Sequence, residues 1–175
     1  MKTDYAKVEA GEFEAFKMVV EELRGEHGCP WDKAQTFESL KPCMVNEMTE
    51  ALAGIDIYNM TGNAENLCEE LGDVLLQIVL LSQIAREEGL FTIEDVIRGI
   101  SQKMIRRHPH VFKDGQDTPE EQEIPGRWEA IKREEKKNKT ILLEQQEKKA
   151  FERAAGWVVH HLAAQHSAAQ EKKEI

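Results

Sequence analysis

The chain has 175 residues, of which 41% are hydrophobic and 32% charged, so one globular domain with a real buried core is expected. A formal net charge of −10 argues against a nucleic-acid backbone or an anionic membrane as the main partner. It leaves room for a small phosphorylated ligand held by a local patch of the opposite sign. Three cysteines, Cys29, Cys43 and Cys68, without CxxC spacing, speak against a disulfide framework or a thiolate zinc site. They are read as small buried hydrophobes in a reducing compartment. The first residues lack an apolar signal core and no run approaches a membrane span, so a cytoplasmic location is expected.

Residues 1–11 are polar, end at Gly11, and read as a flexible leader. Phe13, Phe16, Val19, Val20 and Leu23 recur at helical spacing, which predicts a helix over residues 12–24 that Gly25 and Gly28 stop. The connection that follows contains Pro30, Trp31 and Asp32, and its Trp is either a lid on the core or a flat surface for a ligand. Ser39 is the expected N-cap of a helix to about Asn59, with Pro42 in its first turn. A turn near Thr61, Gly62 and Asn63 leads to a strongly apolar helix over 64–88, ended by Gly89. Thr92 caps a helix to Arg107, and Pro109 disfavours helix at His108. Residues 113–125 read as a polar loop, 127–137 as a short charged helix, and 141–170 as a helical tail whose end frays. With no β-alternation, the fold expected is an all-α helical bundle.

Two acidic segments on adjacent apolar helices carry the main chemical signal. Glu47 and Glu50 lie three apart and share a helix face, as do Glu70 and Asp73. Packed antiparallel, the helices would bring four carboxylates to one point. Such repulsion raises carboxyl pKa values unless a cation is present, and an all-oxygen ligand set selects Mg²⁺ or Mn²⁺ over zinc or copper. The residues alone leave a solvated acidic surface as the other reading. Two basic pairs accompany them at i, i+4: Lys103 with Arg107, and Trp128 with Lys132, while Arg106 is expected to face elsewhere. These are either solvated helix ends or a grip for a polyphosphate. His108 and His110 flank a proline, which suits a helix stop or a hydrogen-bonded turn better than a metal site. His160 and His161 read as surface or interface residues, and no Glu-x-x-His pairs of a di-iron protein occur.

Gly28-Cys29-Pro30-Trp31-Asp32, Gln35-Thr36, Ser39-Leu40, the Glu47/Glu50 pair, Glu69-Glu70-Leu71-Gly72-Asp73, the run from Lys103 to Phe112, and Trp128-Glu129-Ala130-Ile131-Lys132 together resemble the MazG family of nucleoside triphosphate pyrophosphohydrolases. The likeness covers about residues 12–137 and leaves the tail outside. It implies a MazG-like helical bundle, here with an extra C-terminal helix. The domain division implied is a leader at 1–11, a catalytic domain at 12–139 and a helical tail at 140–175.

The resemblance further implies a homodimer and Mg²⁺-dependent cleavage of NTP or dNTP to the monophosphate and pyrophosphate. It assigns metal binding to Glu47, Glu50, Glu70 and Asp73, and the role of candidate base to Glu47. Contact with phosphate and nucleotide falls on Lys103, Arg107, Trp128 and Lys132, and contact with the base on Trp31 and Asp32. One position departs from the family's EExxE pattern: its first glutamate is Asn46 here. Asn offers a carbonyl oxygen but neither a charge nor a base. A catalytically weak member that binds nucleotide or a protein partner, through a tail such as 141–170, is the alternative reading.

Overall fold

A computed structural model describes residues 11–112, 120–137 and 140–171. The expected leader up to residue 10 and most of the polar loop, residues 113–119, lie outside the described residues, as does the chain end at 172–175. Among the described residues the secondary structure is helical throughout, without strands, so the protein is all-α. The chain divides into two compact units, one up to Val96 and one from Ile97 onward. No helix among the described residues is long and apolar enough to cross a membrane.

In the first unit, α1 (Glu12–Arg24) ends at the C-cap Gly25, as its periodicity predicts. The chain then folds back so tightly that a Cβ on Gly28 would lie 2.2 Å from the Leu23 carbonyl oxygen, while Cys29 N–H donates to that same oxygen at 2.8 Å. Only glycine fits there. The connection contains a one-turn helix, α2 (Pro30–Lys33), with Pro30 in the first turn, where its missing N–H does no harm.

Arg24, with its side chain 7% exposed, ties this connection down. Its Nη1 donates to the Asp32 carbonyl at 2.5 Å, and its Nη2 pairs with Glu87 at 2.6 Å. The guanidinium also donates to the Gln35 carbonyl at 3.3 Å. It thereby joins α1, the 30–35 segment and the end of the fourth helix.

Ser39 does not cap the next helix, contrary to expectation. Its hydroxyl accepts from Thr36 N–H at 2.9 Å, and its own N–H donates to Thr36 Oγ1 at 3.2 Å, closing the preceding turn. The cap position of α3 (Lys41–Thr61) falls instead to Leu40, which is buried in the core. Gly62 ends α3 at φ 73°, a left-handed value that suits glycine. The Asn63 side chain accepts the Glu65 N–H at 2.8 Å and starts α4 (Glu65–Glu87).

Helices α3 and α4 pack against each other along their lengths. Val20, Leu40, Val79, Leu80, Ile84 and Ile93 form the core, with Phe16, Phe37 and Cys43 packed on it. Each such fully buried side chain contributes about 1.5–3 kcal/mol. Cys43 thus fills the expected role, whereas Cys68 is exposed on α4.

Thr92 opens α5 (Ile93–Arg107) as expected: the Asp95 side chain accepts Thr92 N–H at 3.0 Å and Asp95 N–H reaches back to Thr92 Oγ1 at 3.4 Å. Lys17 of α1 ties to this first turn through Glu94 at 2.7 Å.

In the second unit, His108 interrupts the helix and Pro109 opens the single turn α6 (Pro109–Phe112). A 3₁₀ turn at Glu121–Glu123 leads into α7 (Ile124–Lys136), which starts three residues before the expected position. The tail forms α8 (Ile141–Glu171), where Trp157 stacks on His161 at 4.9 Å.

Candidate active site

The approach of α3 to α4 sets the acidic centre. Gly54 is buried, and a Cβ there would sit 3.0 Å from Leu67 Cα and 3.1 Å from Asn66 Oδ1. Backbone meets backbone at this crossing. From it, antiparallel helices carry Glu47 and Asp73 about two turns along in the same direction, with Glu70 on the near side. One carboxylate oxygen each from Glu47, Glu70 and Asp73 falls within 4.8 Å of the others. All three residues are half-buried. Asn66, one turn before Glu70, donates Nδ2 to Glu70 Oε1 at 3.0 Å and fixes that carboxylate.

Glu50 is exposed and stands outside the triad. Its charge is nevertheless felt: the Glu47 carboxyl is held above the usual range first by burial, then by repulsion from Glu50, Asp73 and Glu70. An octahedral Mg²⁺ with bonds near 2.1 Å spans about 4.2 Å between opposite oxygens, so small rotamer changes would let the triad close on such an ion. Carboxylate oxygens held against their own repulsion fit a hard divalent cation. Gln77 lies one turn after Asp73 and is 6% exposed; its Oε1 has no hydrogen-bond partner among the described residues.

Trp31 is exposed and Asp32 half-buried on α2, where the Asp32 carbonyl is the group that Arg24 holds. In the second unit, Lys103 and Arg107 lie a turn apart on α5, both half-buried. The Arg107 guanidinium lies 5.6 Å from the centroid of the Trp128 ring, and Lys132 Nζ lies 4.8 Å from it. One aromatic ring thus meets two cations. Lys132 also pairs with Glu129 at 2.7 Å.

Arg106 does not face elsewhere. Its Nε donates to Glu135 Oε1 at 2.6 Å, while Arg107 donates Nε and Nη2 to Glu135 Oε2 at 3.1 and 2.6 Å. The long side chains converge although their Cα positions diverge. These bonds, Arg107 first, pull the Glu135 carboxyl down to about 2. His108 Nδ1 lies 2.7 Å from the Met104 carbonyl. A carbonyl only accepts, so Nδ1 carries the proton and the imidazole serves as a helix-end cap.

Sequence reading missed Glu135, Asn66, Arg24 and Gln77. Helical spacing could have found two of them: Glu135 is seven residues after Trp128, and Asn66 four before Glu70.

An all-α chain with a carboxylate triad on paired helices, and a basic, aromatic group in its second unit, defines the class. Residues 35–112 match the family model of the MazG nucleotide pyrophosphohydrolase domain. The chain thus carries a MazG domain over these residues. It is 52% identical over 125 residues to the uncharacterized protein YabN of Bacillus subtilis, covering 71% of this chain and 24% of that protein. Against the nucleoside triphosphate pyrophosphohydrolase/pyrophosphatase MazG of Thermotoga maritima the identity is 50% over 127 residues, 73% of this chain and 46% of that one. The nucleoside triphosphate pyrophosphohydrolase of Escherichia coli K12 is 43% identical over 122 residues, 69% of this chain and 44% of the relative. The chain therefore spans less than half the length of these curated relatives.

Proposed function

We propose that this chain hydrolyses nucleoside triphosphates, NTP or dNTP, to the monophosphate and pyrophosphate, with Mg²⁺ as its ion and Mn²⁺ as a substitute. The observation that carries the reading is the convergence of Glu47, Glu70 and Asp73 inside a MazG domain. The names of two of the relatives support it. Glu50, on the same helix face as Glu47, joins the ligand set by turning its side chain inward.

When bound, the divalent ion neutralises phosphate oxygens and makes water a stronger acid. Glu47 accepts the proton of the attacking water. The water oxygen bonds to the α-phosphorus, the bond to the bridging oxygen breaks, and pyrophosphate leaves with the electron pair. Lys103, Arg107 and Lys132 stabilise charge on phosphoryl oxygens, and Trp128 offers a ring face to the nucleotide. Trp31 and Asp32 are assigned to the base. Asn46 supplies no charge, so its contribution is limited to an amide.

The catalytic domain in this reading is 12–139, with 140–175 as an added helical tail, and the protein works in the cytoplasm as a homodimer. Leu52, Ile55 and Tyr58 on α3 and Leu71, Leu75 and Ile78 on α4 are exposed, which supports burial against a second copy.

Product analysis tests the proposal: each NTP and dNTP is incubated with Mg²⁺, and monophosphate plus pyrophosphate is resolved from diphosphate plus phosphate. The expected result is the first pair of products, lost in Glu70→Ala. Arg107→Ala should lower turnover ~10²–10³-fold, the cost of one such donor. Diphosphate as product refutes the assigned bond. Binding without turnover, relieved by Asn46→Glu, identifies a nucleotide-binding module instead.

A further inference from the structure

On α7, Trp128, Lys132 and Glu135 follow one another at helical spacing, and Glu135 alone of them is an anion. Its carboxylate spans two neighbouring arginines, with Oε2 on Arg107 and Oε1 on Arg106. Arg107 is 16% exposed on its side chain and Glu135 23%, so both partners of this pair are partly covered. A guanidinium carries five N–H donors in a rigid plane; Glu135 engages one on Nε and one on Nη2 and so fixes the orientation of that plane. The fixed plane lies 5.6 Å from the Trp128 ring centroid, and a tryptophan and a carboxylate on one helix thus hold the arginine between them.

Resting on the phosphate-binding role proposed for Arg107, we infer that Glu135 is a positioning residue: it sets the Arg107 guanidinium for phosphate and prepays the ordering of that side chain. In this role Glu135 acts through Arg107, to which it is hydrogen-bonded. The Arg106 contact holds the other carboxylate oxygen. Ordering an arginine beforehand removes rotamer entropy that a ligand would otherwise have to offset.

The test is calorimetric binding of inorganic tripolyphosphate to the full chain, with Glu135→Gln, Arg107→Ala and the double variant measured in parallel. Glu135→Gln keeps the side chain's size and one acceptor oxygen but removes the charge. Affinity should fall roughly tenfold, by analogy with the lower end of what losing a partner that orients a metal-ligating side chain costs. In the double variant the loss should equal that of Arg107→Ala alone, because a residue acting only through Arg107 has nothing left to position.

A purely structural role gives additive losses instead, and overturns the inference. Unchanged affinity in Glu135→Gln alongside weakened binding in Arg107→Ala overturns it while leaving Arg107's role intact. Tighter binding in Glu135→Gln makes the glutamate a competitor for phosphate, which also overturns it. Unchanged affinity in Arg107→Ala removes the phosphate role of that arginine, and the role of Glu135 with it.

Discussion

Gly54→Ala tests whether the crossing of α3 and α4 sets the acidic centre. The added methyl group would meet Leu67 Cα at 3.0 Å, Asn66 Oδ1 at 3.1 Å and Leu67 N at 3.3 Å, so α4 must retreat by a few tenths of an ångström. Two of these three atoms are backbone and cannot rotate away. Alanine in place of glycine favours a helix by ~1 kcal/mol, while overpacking costs about 1–3 kcal/mol, so the net effect is a loss of about 0–2 kcal/mol. Gly72 is the internal control. It lies on α4 beside Asp73 with nothing within 4 Å of its would-be Cβ, so Gly72→Ala should keep the full gain of ~1 kcal/mol.

The larger effect of Gly54→Ala should fall on the cation. Asn66 moves with Leu67, and Asn66 holds Glu70 at 3.0 Å, so Mn²⁺ affinity should drop roughly tenfold. Thermal unfolding with and without Mn²⁺, together with calorimetric titration of Mn²⁺, measures both quantities. If Gly54→Ala stabilises as much as Gly72→Ala and binds Mn²⁺ equally well, the argument from close approach is wrong.

Three further outcomes follow from the same structure. Gln77→Leu removes the buried amide oxygen that no described group satisfies, and should raise unfolding stability by ~1 kcal/mol in chemical denaturation; destabilisation would reveal a partner for that oxygen. Lys17→Met breaks the pair that holds the Glu94 carboxyl down at about 2, and removes an ammonium raised above its ordinary value first by Glu14 and then by Glu94. Because the Glu94 shift is downward, its contribution is full above about pH 4.5 and lost as pH falls toward 2; the Lys17 shift is upward, so its part is full below about pH 10.5 and lost above. The stability gap between wild type and Lys17→Met should thus be flat near neutrality, a few tenths to ~1 kcal/mol for so exposed a glutamate, and vanish at both extremes. Gly28→Ala should disrupt the 28–35 connection, read as increased proteolytic nicking there, since its Cβ would overlap the Leu23 carbonyl.

The elements legible in the sequence are those whose signal lies within a few residues. The limits of α1, the reciprocal cap at Thr92 and Asp95, the break at His108 and the Glu47/Glu50 and Glu70/Asp73 spacings are all of this kind. What the sequence hides is chosen by partners far along the chain. Ser39 has the chemistry of an N-cap, yet Thr36 takes its hydroxyl because Leu40 must enter the core. Arg106 and Arg107 point apart by helix geometry, yet one carboxylate 28 residues from the second of them gathers both. Gly54 and Gly72 make the case most sharply. Both are mid-helix glycines, with the same conformational freedom and the same propensity penalty. Local sequence gives no reason to treat them differently, and an engineer stabilising the helices by propensity alone would replace both. Only the neighbouring helix separates them: it leaves one glycine facing open space and presses its backbone on the other. The acidic triad exists at its observed spacing because a residue that looks like a flaw in a helix is the point at which two helices touch.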